Sequence, residues 1–319
     1  MQLNFSIIIP VFNRPNEIDE LLESLTLQDF QEDFEVLIIE DGSTEKSDLV
    51  IRKYQEKFNL SYFLKENSGA GDSRNFGMKQ ASGNYFIILD SDVILPSHYL
   101  SAIKKSLESN FTDAFGGPDA AHKSFTSLQK AINYSMTSIL TTGGIRGKKQ
   151  AVGKFQPRSF NMGISKSAFE KTNGFSKMKI AEDIDLTFRL WENGFKTQLI
   201  SNAFVYHKRR SSLRDFFFQT YKFGKARPLL NQKYPKSAKI TYWFPSVFLI
   251  GFGIGIILLF FEISHLTAFY ALYFTLIFLD SLIQNQNLKV AFLSIITTFT
   301  QFLGYGLGFL ESYFFNKNH

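Results

Sequence analysis

Ser6-Ile7-Ile8-Ile9-Pro10-Val11-Phe12-Asn13-Arg14 is the stretch from which the rest of this 319-residue chain can be read. A nearly unbroken apolar run ends abruptly in Asn and Arg. A strand with one wet face would alternate, whereas a continuous run is the pattern of a strand buried on both faces of a parallel sheet. Outward from it, residues 15–27 carry Ile18, Leu21, Leu22 and Leu25 at helical spacing. Residues 34–39 repeat the strand pattern, and 48–58 read as a second helix. A short strand over 60–64 precedes a Gly-rich turn and a helix over 74–81. Another apolar strand, 85–89, stops at Asp90-Ser91-Asp92. This alternation predicts an α/β fold: an open, doubly wound sheet flanked by helices, with ligands at the carboxyl ends of the strands.

The polar residues fall where that rule puts a site. The first strand ends at Asn13-Arg14 and the second at Glu40-Asp41-Gly42-Ser43. The next crossover carries Asn67-Ser68-Gly69-Ala70-Gly71-Asp72-Ser73-Arg74-Asn75, and the strand after it ends on Asp90 and Asp92. Surface loops are often polar, so any one of these means little. Four strand ends converging on carboxylates, an Arg, an Asn and glycines mean more. Gly69-Ala70-Gly71 looks like a phosphate loop, but it follows the third strand rather than the first, which argues against a dinucleotide-binding fingerprint.

With those residues in hand, the first part of the chain resembles family 2 of the glycosyltransferases, the inverting enzymes of the GT-A fold, which implies an open, mixed but mainly parallel sheet flanked by helices. The resemblance rests on Ile9-Pro10-Val11-Phe12-Asn13-Arg14, Glu40-Asp41-Gly42-Ser43, Gly71-Asp72-Ser73-Arg74-Asn75, Asp90-Ser91-Asp92 and Glu182-Asp183. It covers roughly residues 4–210. The motifs are weak singly and specific in this order. The resemblance implies a nucleotide-sugar donor, UDP- or GDP-linked, whose departing diphosphate needs a divalent cation, Mg²⁺ or Mn²⁺, held by carboxylate oxygen. It assigns the metal to Asp92, with Asp90 on ribose or donor sugar. Asp41 would read the base edge, Pro10 and Phe12 would shape the base pocket, and Asn13 or Arg14 would lie near ribose or phosphate. Arg74 would contact nucleotide or donor. His207 is a metal ligand in some relatives; a packed His serves equally well here.

Inverting transfer needs a base on the acceptor hydroxyl. Acids at a helix N-terminus are ordinary capping features, and residues 184–193 read as a helix beginning just after Glu182-Asp183. The family pattern nevertheless gives the base to Asp183, with Glu182 the alternate. Gly116-Gly117-Pro118-Asp119 and Asn161-Met162-Gly163 lie between the metal motif and the base, so Gly117, Asn161, Met162 and Gly163 are expected to line the acceptor cleft. Arg209 and Arg210 can contact the diphosphate or belong to the basic block described next. The Gln-x-x-Arg-Trp signature of processive synthases is missing, which favours one sugar per encounter.

The net charge of +6 is not spread along the chain. Residues 208–239 hold ten bases against one acid, Asp215, while the segments on either side are slightly acidic. Apolar stretches over 243–261, 266–283 and 290–310 follow that block, the middle one containing Asp280. Lys and Arg beside the first membrane-like segment are the mark of its cytoplasmic side. A nucleic-acid surface is the rival reading of the block, but no nucleic-acid motif accompanies it, so no nucleic-acid partner is expected. Residues 211–223 set Phe216, Phe217, Phe218 and Tyr221 among Arg214 and Lys222, the composition of an interfacial helix.

The expected layout is a catalytic domain over 1–210, a basic interfacial segment over 211–239 and a transmembrane region of two or three helices over 240–319. The expected location is the inner, cytoplasmic membrane, multi-pass, with the catalytic domain in the cytoplasm. The acceptor is then lipid-linked or another membrane-borne glycan. The chain has no cysteine, which excludes disulfides, zinc–thiolate sites and thiol nucleophiles. No basic segment or cleavage site precedes the first strand, so no secretory leader is expected. Two other classes compete: a metal-dependent sugar nucleotidyltransferase, for which Glu182-Asp183 has no obvious task, and a noncatalytic nucleotide-binding scaffold, which would not need Asp41, Asp90, Asp92 and Asp183 together.

Overall fold

The computed structural model describes residues 2–143, 155–178 and 180–315; the last four residues of the expected transmembrane region lie outside the described residues. The chain forms two compact units, one from residues 1–122 and 147–208 and the other from residues 123–146 and 209–319.

The first unit runs β1 (Phe5–Val11), α1 (Pro15–Thr26), β2 (Glu35–Asp41), α2 (Asp48–Arg52), β3 (Asn59–Lys65), α3 (Ala70–Gln80), β4 (Tyr85–Leu89), β5 (Val93–Ile94), α4 (Tyr99–Ser109), β6 (Ala114–Gly116) and β7 (Asp119–Ala120). Next come α5 (Ser127–Thr137) and α6 (Ile139–Thr142), which belong to the second unit. The first unit resumes with β8 (Asn161–Ser165), α7 (Lys166–Thr172), α8 (Glu182–Glu192), β9 (Thr197–Leu199) and β10 (Val205–His207).

Seven strands form one sheet in the order β3-β2-β1-β4-β8-β6-β9. The β3, β2, β1 and β4 strands are mutually parallel, and β8 runs antiparallel to both β4 and β6. The sheet is therefore mixed and mainly parallel. The unbroken apolar run of β1 divides between two cores. Ile7, Ile9 and Val11 pack with Ile18, Leu21, Leu22 and Leu25 of α1. Ile8 packs on the other face with Met78 of α3, Phe86 and Leu186. Each such side chain contributes roughly 1.5–3 kcal/mol when fully buried. Burial on both faces is the reason β1 shows no alternation.

Two helices differ from their sequence reading. α2 stops at Arg52, because Lys53 and Tyr54 bond back three residues, to Val50 and Ile51, and the chain tightens into turns. α3 begins at Ala70, since Gly69, in the left-handed region at φ +94°, turns the chain into it four residues early.

The second unit adds α9 (Leu213–Lys233), α10 (Phe244–Leu259), α11 (His265–Asn285) and α12 (Leu288–Phe315). Among the described residues three stretches, Ile240–Leu259, His265–Asn285 and Leu288–Phe315, are long and apolar enough to cross a membrane, with mean hydropathies of 2.0, 1.8 and 1.5. α9 continues ten residues past the expected end at 223, through Pro228. Packing overrides the proline: Gly224 lies so close to the Tyr305 and Phe309 backbone of α12 that a Cβ there would have no room. Ile132 and Met136 of α5 pack on Phe216 of α9. Tyr134 donates to Asp280 at 2.6 Å, so the acid within the apolar α11 is hydrogen-bonded inside the unit.

Candidate active site

Strand ends and helix starts of the first unit converge on one cluster. Asp90 leaves β4 and Asp92 immediately precedes β5. β10 pairs antiparallel with β5, His207 opposite Val93, and parallel with β7. That short ribbon brings His207 Nε2 to 3.3 Å from Asp92 Oδ1. The other ring nitrogen, Nδ1, lies 3.9 Å from Oδ2 of Asp119, whose side chain is fully buried. Phe160 stacks on the imidazole with centroids 4.7 Å apart. Arg14 Nη1 donates to Asp92 Oδ2. Burial works to raise the Asp92 carboxyl, but His207 and Arg14 together hold it well below the usual carboxylate range.

Asp90, Asp92 and His207 each offer a ligand atom within 4.8 Å of the other two. Two carboxylates and an imidazole, with no sulfur, form a donor set suited to Mg²⁺ or Mn²⁺. Asp92 Oδ1 is buried and has no well-aligned hydrogen-bond donor among the described residues, and a carboxylate behind the imidazole is the usual support of a ligating His. The three residues fit a divalent cation. The family resemblance gives Asp90 to the donor and only Asp92 and His207 to the metal; the geometry adds Asp90 to the group.

Arg74 ties this cluster to α8. α3 approaches β1 and β2 closely, since a Cβ on Gly77 would come within 2.5 Å of Ile8 Cγ2 and 2.7 Å of Ile39 Cδ1. Three residues earlier on α3, Arg74 is almost wholly buried. Its Nη2 donates to Asp90 Oδ1 at 2.7 Å and its Nη1 to Glu182 Oε1 at 2.9 Å. The guanidinium also lies over Phe175, 5.2 Å from the ring centroid. Burial raises the Glu182 carboxyl above its ordinary value despite the pull of Arg74, and Asp183 beside it pushes the same way.

Ala181, just before α8, has φ +63°, an uncommon conformation for a residue with a side chain. After that turn Glu182, Asp183 and Asp185 share the first helical turn, where the helix N-terminus favours acids. Asp183 Oδ1 accepts from the Ile184 amide at 2.8 Å. Its Oδ2 lies 3.8 Å from Arg158 Nη1 and 3.4 Å from the Ser159 amide. Asp185 is fully buried and paired with Arg189 at 2.9 Å.

A second knot forms at the end of β2. Asp41 accepts from the Ser68 and Gly69 amides, both at 2.9 Å, and from Lys65 Nζ. Burial opposes its ionisation, but Lys65 and these donors hold the carboxyl below its ordinary value. Asn13 Oδ1 accepts from the Thr44 and Glu45 amides at 2.8 and 3.0 Å, fastening the loop after β2. Pro10 is buried within β1, and Phe12 is 48% exposed.

Of the residues singled out in the sequence, Arg14, Arg74, Asp90, Asp92, Glu182 and His207 form one connected set, with Asp183 adjoining. Gly117, Asn161, Met162 and Gly163 are not brought to it. All four are buried. Asn161 is held inside the unit by Tyr99 Oη at 2.7 Å and the Ala203 carbonyl at 2.8 Å, and a Cβ on Gly163 would strike the Phe115 ring. Arg209 bonds to Asn133 of α5 within the second unit. Lys65, Arg158 and Phe160 were not singled out. Lys65 ends β3 and so obeys the strand-end rule that found Asp41, whereas Arg158 and Phe160 carry no local signal.

The model of the family described as glycosyl transferase family 2 matches residues 6–172. An uncharacterized glycosyltransferase of Haemophilus influenzae is 30% identical over 221 residues, which cover 65% of this chain and 70% of that protein. The poly(ribitol-phosphate) beta-N-acetylglucosaminyltransferase TarS of Staphylococcus aureus is 36% identical over 114 residues, 35% of this chain but only 20% of that protein. The crystal structure of TarS 1-349 in complex with UDP superposes with a TM-score of 0.50 at 24% identity, over 70% of this chain and 64% of that one. Mannosyltransferase PcManGT from Pyrobaculum calidifontis, in complex with GDP-Man and Mn²⁺, gives a TM-score of 0.64 at 15% identity, over 100% of this chain and 89% of that one. At these identities the two structures establish the shared fold.

Proposed function

The chain belongs to glycosyl transferase family 2, and from that premise we propose a membrane-anchored, inverting transferase that moves one sugar from a UDP- or GDP-linked donor to a lipid-linked or other membrane-borne acceptor. The observation that carries this reading is the Arg74 bridge, which joins the Asp90–Asp92–His207 group to Glu182 and, next to it, Asp183. Donor activation and acceptor deprotonation have to occur within one bond's reach of the same carbon, and a single buried Arg spans the groups suited to each.

Asp90, Asp92 and His207 would hold Mg²⁺ or Mn²⁺. A bound cation would neutralise the charge that develops on the departing diphosphate. Arg14, with His207, favours the ionised form of Asp92, and Arg74 orients Asp90 and Glu182. Asp183 takes the acceptor proton; Glu182 is committed to Arg74 and positions it, which leaves Asp183 the better placed base. Asp41, with Lys65, orders the loop of Ser68 and Gly69 against which the base and ribose would lie, alongside Pro10, Phe12 and Asn13.

The catalytic domain is assigned residues 1–210, of which α5 and α6 pack within the second unit, the interfacial segment 211–239 and the membrane region 240–319. Ten bases against one acid in 208–239 support a cytoplasmic-membrane location with the catalytic domain in the cytoplasm. The test is a panel of UDP- and GDP-sugars offered with polyprenyl-phosphate and glycolipid acceptors. Release of one nucleoside diphosphate per glycosylated lipid is expected; release of pyrophosphate, or of nothing from any donor, contradicts the assignment.

A further inference from the structure

α10, α11 and α12 touch one another in a register that three helices standing along one axis cannot have. α10 runs antiparallel to α11: Gly255 lies against Leu266 and Phe248 against Tyr270 and Phe274. α11 runs antiparallel to α12, with the Ser281 and Ser294 hydroxyls 2.7 Å apart and Tyr273 stacked on Phe302. Two reversals would leave α10 parallel to α12. Instead Phe252 meets Phe299, Phe248 meets Phe302, and Trp243, just before α10, meets Phe309. This pair too is antiparallel. Three directions that are pairwise obtuse leave at least one helix more than about 45° from any common normal, outside the roughly 0–40° tilts of spanning helices.

The helix that departs is α12. Near one end of its middle stretch, Thr297 donates to the Ala131 carbonyl of α5 at 3.1 Å, and Asn133, two residues along α5, accepts from the Arg209 guanidinium at 3.1 Å. At the other end, Glu311 accepts from Lys225 of α9 at 2.7 Å. From Thr297 to Glu311 is about 21 Å of helix. Stood along the normal, that stretch would place one of the two cations inside a hydrocarbon core about 30 Å thick. Residues 288–297 add only about 14 Å, too little to cross.

Between the two anchors α12 lies in parallel register on the basic helix α9, with Gly304 against Thr220 and Gly308 against Tyr221. Half of its most apolar window is buried within the unit, against 17% in each of the other two stretches. Its large exposed apolar side chains include Phe292, Ile296, Leu307 and Phe314, spaced to fall on one side.

We infer that α12 is an in-plane helix that rests this stripe on lipid at the membrane boundary beside α9, while α10 and α11 enter as a hairpin. The number of crossings is then even, and Phe315 emerges on the side occupied by α9. The inference rests on the proposed membrane insertion of this unit, and the test separates the two.

The chain has no cysteine, so single-cysteine variants carry one label each. The full chain is reconstituted in phosphatidylcholine–phosphatidylglycerol vesicles. An environment-sensitive fluorophore is attached at Ile296→Cys or Leu307→Cys on α12, or at Ile250→Cys or Ile257→Cys on α10, all exposed positions. Quenching by lipids with nitroxides at two depths then locates each label. Equal, shallow depths are expected at 296 and 307, although about 16 Å of helix separates them, with unequal depths at 250 and 257. A depth difference approaching 16 Å between 296 and 307, or no quenching at either while the α10 labels are quenched, overturns the in-plane helix and leaves membrane insertion standing. No quenching at all four positions overturns membrane insertion and the in-plane helix with it.

Discussion

Arg74 donates to Glu182 at 2.9 Å across 108 positions of sequence, and with its other terminal nitrogen it holds Asp90. One guanidinium thus fixes the spacing between the candidate metal group and the start of α8. Arg74→Gln should abolish turnover and lower the melting temperature of the detergent-solubilised protein, because removing one partner from a buried pair costs about 3–5 kcal/mol. Arg74→Lys keeps the charge but loses the fork that serves two carboxylates at once. It should melt closer to wild type and still turn over poorly. Full activity in Arg74→Lys would show that the charge alone suffices.

Metal dependence provides a second check. Asp92→Asn should abolish turnover, and EDTA should reproduce the loss in the wild-type protein, reversed by Mg²⁺ or Mn²⁺. Asp119 stands behind His207 Nδ1, so Asp119→Ala should weaken Mn²⁺ binding about 10–100-fold, read by titration calorimetry with no donor present. Unchanged Mn²⁺ affinity would remove Asp119 from the support of the site.

The Asp41 knot predicts a pH signature. Its carboxyl is held below the ordinary 3.8, so it contributes stability that is fully present above that value and is lost as pH falls through the lower folded-state value. Asp41→Asn should melt below wild type by an amount that is constant between pH 7 and pH 5. Hydrogen bonds to a charged group put the loss at about 1.5–3 kcal/mol. The gap between the two proteins should close below about pH 3.8. A gap that persists unchanged at pH 3 would mean that the carboxylate charge is not what orders Ser68 and Gly69.

Close approach of α3 to the sheet is testable at Gly77. Gly77→Val would drive its side chain into Ile8 and Ile39, with overpacking expected to cost about 1–3 kcal/mol. Because Arg74 rides on the same helix, donor affinity should fall along with stability. A Gly77→Val protein that melts normally would contradict the packing.

Much of the site was legible because it follows chain-local rules. The ends of β1, β2 and β4 announce themselves where an apolar run meets Asn13-Arg14, Asp41 or Asp90-Ser91-Asp92. The mixed sheet was expected, although the reversal at β8 has no local cue. What the sequence hid are partnerships between distant residues. Nothing near Arg158 points to Asp183, and nothing near Phe160 points to His207. Asn161, Met162 and Gly163 are expected at the acceptor cleft from their place between the metal motif and the base; pairing with β4 and β6 puts them in a buried strand. α5 sits in sequence among the strands of the first unit, yet it packs with α9 and α12, and that follows only from pairs such as Thr297 with Ala131 and Tyr134 with Asp280.

The most direct measurement of the proposed chemistry compares wild type with Asp183→Asn in single-turnover transfer at saturating donor, alongside donor titration. Asn nearly preserves volume and hydrogen-bonding capacity, so donor affinity should be unchanged. Loss of the base should slow the transfer step about 10²–10⁴-fold. Near-normal single-turnover rates in Asp183→Asn would contradict the assignment of Asp183 as the base that activates the acceptor.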